Sequence, residues 1–316
     1  GSTNTVLHMM AVANEAGIDY DLARINQLSR QTPNVCKVAP SIHYHVEDVH
    51  NSGGIHSILG SVARGRPGLL NLDCPTVTGK TMRENIAEYD LRAESVGQEA
   101  LELAAVTAHG TRNNEGMSVE RTVSSIRELS NEQLGFDPHD CIREVDSAYS
   151  QEGGLVILFG NLAPDGGIVK TAGVRPEMMK HTGPAVIFES EPEAYEGIVN
   201  GQVKAGDVVV IRREGPRGGP GMQEMLAPTS AIKAVGLDSS VALITDGRCS
   251  GGTAGACIGH VSPEAAACGP IGLLEPGDVI EIDIPQGKLN VQLTEAQLAE
   301  RKAKWTPPGP RFKTGY

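Results

Sequence analysis

Apolar positions fall along the chain in two textures, and the change comes near residue 150. Before it they recur at helical spacing. Val6, Leu7, Met10 and Ala13 predict a helix that opens on Ser2, Thr3 or Asn4 as cap and ends at Gly17. Leu22, Ile25 and Leu28 predict a second over Asp21 to Leu28, IHSILGSVARG (55–65) a third and Thr81 to Tyr89 a fourth. VCKVAP (35–40) is predicted as a short strand stopped by proline, and CIREVDSAY (141–149) is helix-like. Between Leu69 and Gly135 the pattern fades, and HGTRNNEGMSVERT (109–122) resembles an exposed connection.

After SQEGG (150–154) the pattern shortens to β-runs broken by Gly, Pro and Asp about every ten residues, as in a barrel-like sheet. The runs are 155–161, 167–174, 185–190, DVVVIRR (207–213), VALITD (241–246), 278–285 and 288–294. Helices are predicted at EPEAYEGIVNG, near SAIKAVG, and from the capping box at Thr294 to Trp305. The predicted fold class is α/β: a helix-rich remnant of an α/β amino-terminal domain (1–152), then a β-barrel-like carboxyl-terminal domain flanked by helices (153–316).

Composition narrows the function. A net charge of -12 argues against a nucleic-acid partner, and there is no apolar run of membrane-spanning length. With 3% aromatic residues and 38 glycines, the core must be aliphatic and the turns tight. The six cysteines include no CxxC pair and fit reduced thiols better than a disulfide framework.

The chemistry concentrates between Arg212 and Glu264, where two glycine-rich loops (215–221 and 247–255) each follow a predicted strand. Such loops aim backbone N–H groups at a small site, with Glu224, Ser250 and Thr253 as the side chains offered. Glu224 suits a Mg²⁺ ligand or a helix-dipole glutamate. Ser250 suits a base made acidic by a cation, or a turn serine. Arg248 suits a substrate carboxylate or an ion pair with Asp246, and His260 a second acid/base or a loop-orienting group. The free amides behind Ser2 suit an anion or only a cap. The histidines at 43, 45, 50 and 56, beside Glu47 and Asp48, raise a metal site against the commoner surface role.

GSTNTVLH (1–8), CKVAPS (36–41), EDVHNSGGI (47–55), GGLVILFGNLAPDGGIVKTAGV (153–174), EGPRGGPGMQEMLAPTSAI (214–232), ALITDGRCSGGTAGACIGHVSPEA (242–265) and GDVIEIDIP (277–285) together resemble the dihydroxy-acid and phosphogluconate dehydratase family. GMQEMLAPTS resembles its dihydroxy-acid branch. The resemblance implies a hydro-lyase that converts 2,3-dihydroxy carboxylates to 2-keto acids in branched-chain amino-acid synthesis. It implies Mg²⁺ held by Glu224, Ser250 as base, and Thr253, Ser2 and Arg248 at the substrate. It also implies an iron–sulfur cluster (2Fe–2S or 4Fe–4S), a homodimer, and the cytoplasm or an organelle matrix.

The family's cluster cysteines, two aspartate ligands and a carbamylated lysine precede its GSTN motif, and no cysteine here matches a cluster ligand. The expectation is therefore a carboxyl-terminal portion that is inactive alone and binds neither metal tightly. A sugar-acid dehydratase (gluconate or its 6-phosphate) and a non-catalytic anion-binding domain built on GPRGGPGM stand as alternatives.

Overall fold

The computed structural model describes residues 2–105, 135–219, 221–249, 252–253, 255–309 and 311. They divide into two compact units, one of residues up to Ser29 with those from Gly154, the other of Arg30–Gly153. The predicted connection at 109–122 lies outside the described residues.

The larger unit opens with α1 (Thr3–Glu15) and α2 (Leu22–Gln31). Val6 of α1 and Ile25 of α2 bury against Ile157 and Ile168, with Met10 and Leu22 at the margin. The smaller unit holds α3 (Val46–Asn51), α4 (Gly54–Gly65), α5 (Met82–Tyr89), α6 (Gln98–Ala105) and α7 (Pro138–Cys141). Thr81 caps α5, its hydroxyl accepting Glu84 N–H at 3.3 Å while its own N–H goes to Glu84 Oε2 at 2.7 Å.

Two predictions for the smaller unit change. VCKVAP is no strand, because only isolated bridges form, Asn34 to Ser150 and Cys36 to Ile142. CIREVDSAY is mostly not helix: α7 ends at Cys141 because Ile142 turns extended to make that bridge. The histidines do not gather. His45 caps α3 opposite Asp48, His56 stacks on Tyr89, and among the described residues no group of three His, Cys, Asp or Glu could hold a metal ion.

The larger unit is built on eight strands: β1 (Leu155–Leu158), β2 (Gly166–Lys170), β3 (Lys180–Phe188), β4 (Val208–Ile211), β5 (Ala242–Thr245), β6 (Cys257–Ser262), β7 (Val279–Asp283) and β8 (Lys288–Val291). Their order is β1-β2-β6-β5-β4-β3-β7-β8. The central four, β3 to β6, run parallel, and antiparallel pairs flank them. Parallel strands need covered faces, which is why VVVI of β4 and ALIT of β5 are buried at every position.

The covering helices are α8 (Glu191–Val199), between β3 and β4, and α9 (Leu226–Ala234), between β4 and β5. Val209, Ile211 and Leu243 face them, packing on Ile198 and Ile232. Val208, Val210 and Ile244 alternate to the inside and meet Leu158, Ile258, Ile280 and Leu289. The core is aliphatic, as the composition requires.

The sheet curls until its two ends meet. Past β1, the N–H of Phe159 donates to Gly287 O at 2.8 Å, and Leu289 N–H to Phe159 O at 2.9 Å. Asn161 continues the seam with its side chain, taking Val291 N–H at 2.8 Å and donating to Val291 O at 2.9 Å. Gly160 is required there, since a Cβ would stand 2.1 Å from Leu289 O. The result is a mixed sheet nearly closed into a barrel with helices outside. α10 (Glu295–Lys304) follows from the capping box at Thr294. No helix among the described residues is long and apolar enough to cross a membrane.

Candidate active site

Both glycine loops leave the carboxyl ends of adjacent parallel strands, the place where α/β sheets bind ligands. The chain leaves β4 through Arg212–Glu214 into the first loop and leaves β5 through Asp246–Cys249 into the second. Beyond the strands the two segments pair once more, Glu224 opposite Arg248 in parallel register. Arg248 N–H donates to Gln223 O at 3.1 Å and Met225 N–H to Arg248 O at 2.8 Å. That bridge fixes Glu224 beside the second loop.

Buried Asp246 holds the frame. Its carboxylate accepts the N–H groups of Arg213 at 3.1 Å, Glu214 at 2.9 Å and Ala265 at 2.9 Å. Burial raises its pKa, against the pull of those amides. It thus serves the backbone and leaves Arg248 to other partners.

The first loop's amides are already filled. Glu264 reaches back so that its Oε1 accepts Arg217 N–H at 2.9 Å and its Oε2 accepts Gly218 N–H at 3.0 Å. Gly215 permits the approach, since a Cβ there would lie 2.5 Å from Glu264 Oε2. The anion in this cradle is the protein's own carboxylate.

Each side chain expected from the sequence can be placed, apart from Ser250, which lies outside the described residues. Glu224 is half-buried, and Asn4 Nδ2 donates to its Oε1 at 2.5 Å. Arg248 Nη1 stands 4.0 Å from the same oxygen, while its Nε and Nη2 donate to Met222 O and to Gly221 O. Most of that guanidinium shapes the end of the first loop and screens Glu224. Thr253 is buried, and its hydroxyl has no partner among the described residues. Ser2 caps α1 by position, without a side-chain hydrogen bond.

His260 interrupts β6 in the left-handed region, φ 53°, with its N–H on Gly247 O at 2.9 Å. Burial, reinforced by Arg248 and His8, pushes its imidazole down to about 4, so it is neutral near pH 7. Arg213 (φ 66°) and Met222 (φ 48°) are left-handed as well. Backbone held in this way persists where the surroundings enforce it, often at functional sites. Among the described residues five buried side-chain polar atoms lack a hydrogen-bond partner, and three of them, Asn4 Oδ1, Thr253 Oγ1 and His260 Nε2, stand on the segments that build this site.

The sequence reading missed three contributors. Asn4 and Thr3 read only as helix caps, yet Asn4 holds Glu224 and Thr3 Oγ1 donates to Cys249 O at 3.1 Å. Glu264 carries no local sign of its bond to a loop 46 and 47 residues earlier. The thiol expectation is also corrected. Cys249 and Cys257 are joined as a disulfide, because the second loop doubles back to start β6 and brings their Cα atoms to 6.6 Å.

The residues fit the implied groups unequally. A single half-exposed carboxylate suits Mg²⁺, which takes few protein carboxylates and fills its other positions with water and substrate. An iron–sulfur cluster needs several thiolates. Cys249 and Cys257 are consumed by each other, and no three cysteines converge among the described residues, so these residues do not fit a cluster.

Comparison with known proteins bears on the same stretches. The profile of the dihydroxy-acid/6-phosphogluconate dehydratase carboxyl-terminal domain matches residues 140–316, and that of the amino-terminal domain matches residues 1–85. A dihydroxy-acid dehydratase of Akkermansia muciniphila is 50% identical over 316 residues, all of this chain and 48% of that protein. Those of Caldanaerobacter subterraneus subsp. tengcongensis and Ruminiclostridium cellulolyticum are 46% and 44% identical, again over the whole chain and 48% and 49% of their own length. The chain spans about half the length of the curated relatives it matches.

Proposed function

Since the chain belongs to the dihydroxy-acid/6-phosphogluconate dehydratase family, we propose that the complete protein is a hydro-lyase that dehydrates 2,3-dihydroxy carboxylates of the 2,3-dihydroxyisovalerate type to 2-keto acids. In this reaction the C2 proton and the C3 hydroxyl leave as one water. The enol that remains takes a proton at C3, gives up the proton of its C2 hydroxyl and becomes the keto acid.

The observation that carries the reading is Glu224, a carboxylate oriented by Asn4 at the carboxyl ends of β4 and β5. In this reading Glu224 holds Mg²⁺, which when bound would draw charge from the substrate carboxylate and C2 oxygen and acidify the C2 proton. Ser250 takes that proton, Thr253 offers its unpaired hydroxyl to substrate oxygen, and Ser2 adds a second donor. Arg248 acts by fixing the first loop and by lending positive charge near Glu224. No step here runs through an iron–sulfur cluster, which the family resemblance implies for the complete protein. A homodimer in the cytoplasm or an organelle matrix completes the reading.

A sugar-acid substrate remains the nearest alternative. The reading as a non-catalytic anion cradle is disfavoured, because an incoming phosphate would have to displace Glu264 from the first loop's amides. The test is turnover of 2,3-dihydroxyisovalerate by the complete protein and by its Glu224→Ala and Ser250→Ala variants. Each change should lower kcat at least about 100-fold. Near-normal turnover in both would move the site elsewhere.

A further inference from the structure

We propose that Asn4 is a substrate-binding residue: its side-chain carbonyl accepts a hydroxyl proton of the bound dihydroxy acid while its amide N–H groups orient Glu224. The inference rests on the dehydratase reading. Asn4 and Glu224 are 220 residues apart in sequence, and a 2.5 Å hydrogen bond joins Asn4 Nδ2 to Glu224 Oε1. A carboxylate only accepts, so the amide has one allowed orientation. Its NH₂ faces Glu224 and its Oδ1 faces away. That Oδ1 is buried and has no partner among the described residues.

A buried carbonyl without a donor is rare in a folded protein, and it calls for one that the described residues do not supply. The donors a 2,3-dihydroxy carboxylate brings are its hydroxyl groups. The placement is rigid, because Thr3, one residue before, is buried and bonded to Cys249 O, and Val6 packs under the same turn of α1. The stretch of α1 that carries Asn4 is therefore held in place beside Glu224. One side chain reads a substrate hydroxyl with its acceptor and sets Glu224 with its donor, so substrate binding and carboxylate placement are coupled through a single amide.

The experiment uses the complete protein and unreactive acids of one carbon skeleton: the 2-hydroxy acid, the 3-hydroxy acid and the fully deoxy acid. Calorimetry measures their binding to wild type and to Asn4→Ala, with thermal unfolding as the check that the variant is folded. Asn4→Ala should weaken at least one hydroxy acid about 10-fold more than it weakens the deoxy acid. Asn4→Asp keeps an acceptor but sets a charge against Glu224. It should retain more of the preference for hydroxy over deoxy acid than Asn4→Ala while losing kcat. Equal weakening of all three acids by Asn4→Ala, or no weakening of any, overturns the proposal. If the wild-type protein fails to turn over any dihydroxy acid, the dehydratase reading falls instead.

Discussion

At the scale of single residues, the site is governed by what burial does to polar atoms. His260 is the clearest case, since burial pushes its pKa from 6.5 to about 4. The unfolded chain therefore takes up this proton first as pH falls. The stability that the neutral imidazole contributes is complete above about 6.5 and is lost as pH drops towards 4. Between pH 7 and pH 5 the complete protein should lose about 2 kcal/mol more than its His260→Gln variant. Denaturant unfolding at the two pH values measures the difference, and equal losses would mean that His260 is not held neutral. Glu224 and Thr253 were legible as candidates because a carboxylate and a hydroxyl stood out among glycines. Asn4 was not, because GSTN reads locally as a helix cap, and the partner that gives it a role lies across the fold.

At the scale of elements, local rules worked where the force was local. Thr294 and Glu295 to Gln297 announce their capping box in four residues, and the structure forms it. Thr294→Ala should cost about 1 kcal/mol in unfolding free energy, with α10 fraying first under hydrogen exchange. An unchanged stability would mean that the box is worth nothing there. β6 escaped notice because Gly259 and His260 break its apolar alternation, and a left-handed residue inside a strand leaves no pattern to read. VCKVAP failed the other way, a good strand pattern with only bridging partners on offer. The first glycine loop shows how a real motif can be misassigned. Its amides do form an anion cradle, but Glu264 fills it. Glu264→Ala should cost about 1 kcal/mol, the worth of charge-assisted bonds to amides at the surface of the loop, and should loosen the loop to proteolysis. A loop as protected as in wild type would show that Glu264 is a bystander.

At the scale of the whole molecule, the eight-stranded, nearly closed sheet explains why distant stretches of sequence act together. Its parallel centre places the ends of β4 and β5 side by side, and α1 packs on β1 and β2 so that Thr3 and Asn4 reach both loops. The barrel class was legible from the spacing of turns. Its closure was not, because Phe159, Gly160 and Asn161 meet β8 through backbone and side-chain bonds that no periodicity announces. The proposal that joins these levels is that the site serves, in the complete protein, the dehydration of short, branched dihydroxy acids. It is tested most directly by kcat/KM of the complete, metal-loaded protein for 2,3-dihydroxyisovalerate against gluconate and 6-phosphogluconate. The account predicts that 2,3-dihydroxyisovalerate is preferred by at least about 100-fold, the discrimination a pocket achieves by leaving a rival's polar groups unpaired. Faster turnover of either sugar acid would contradict it.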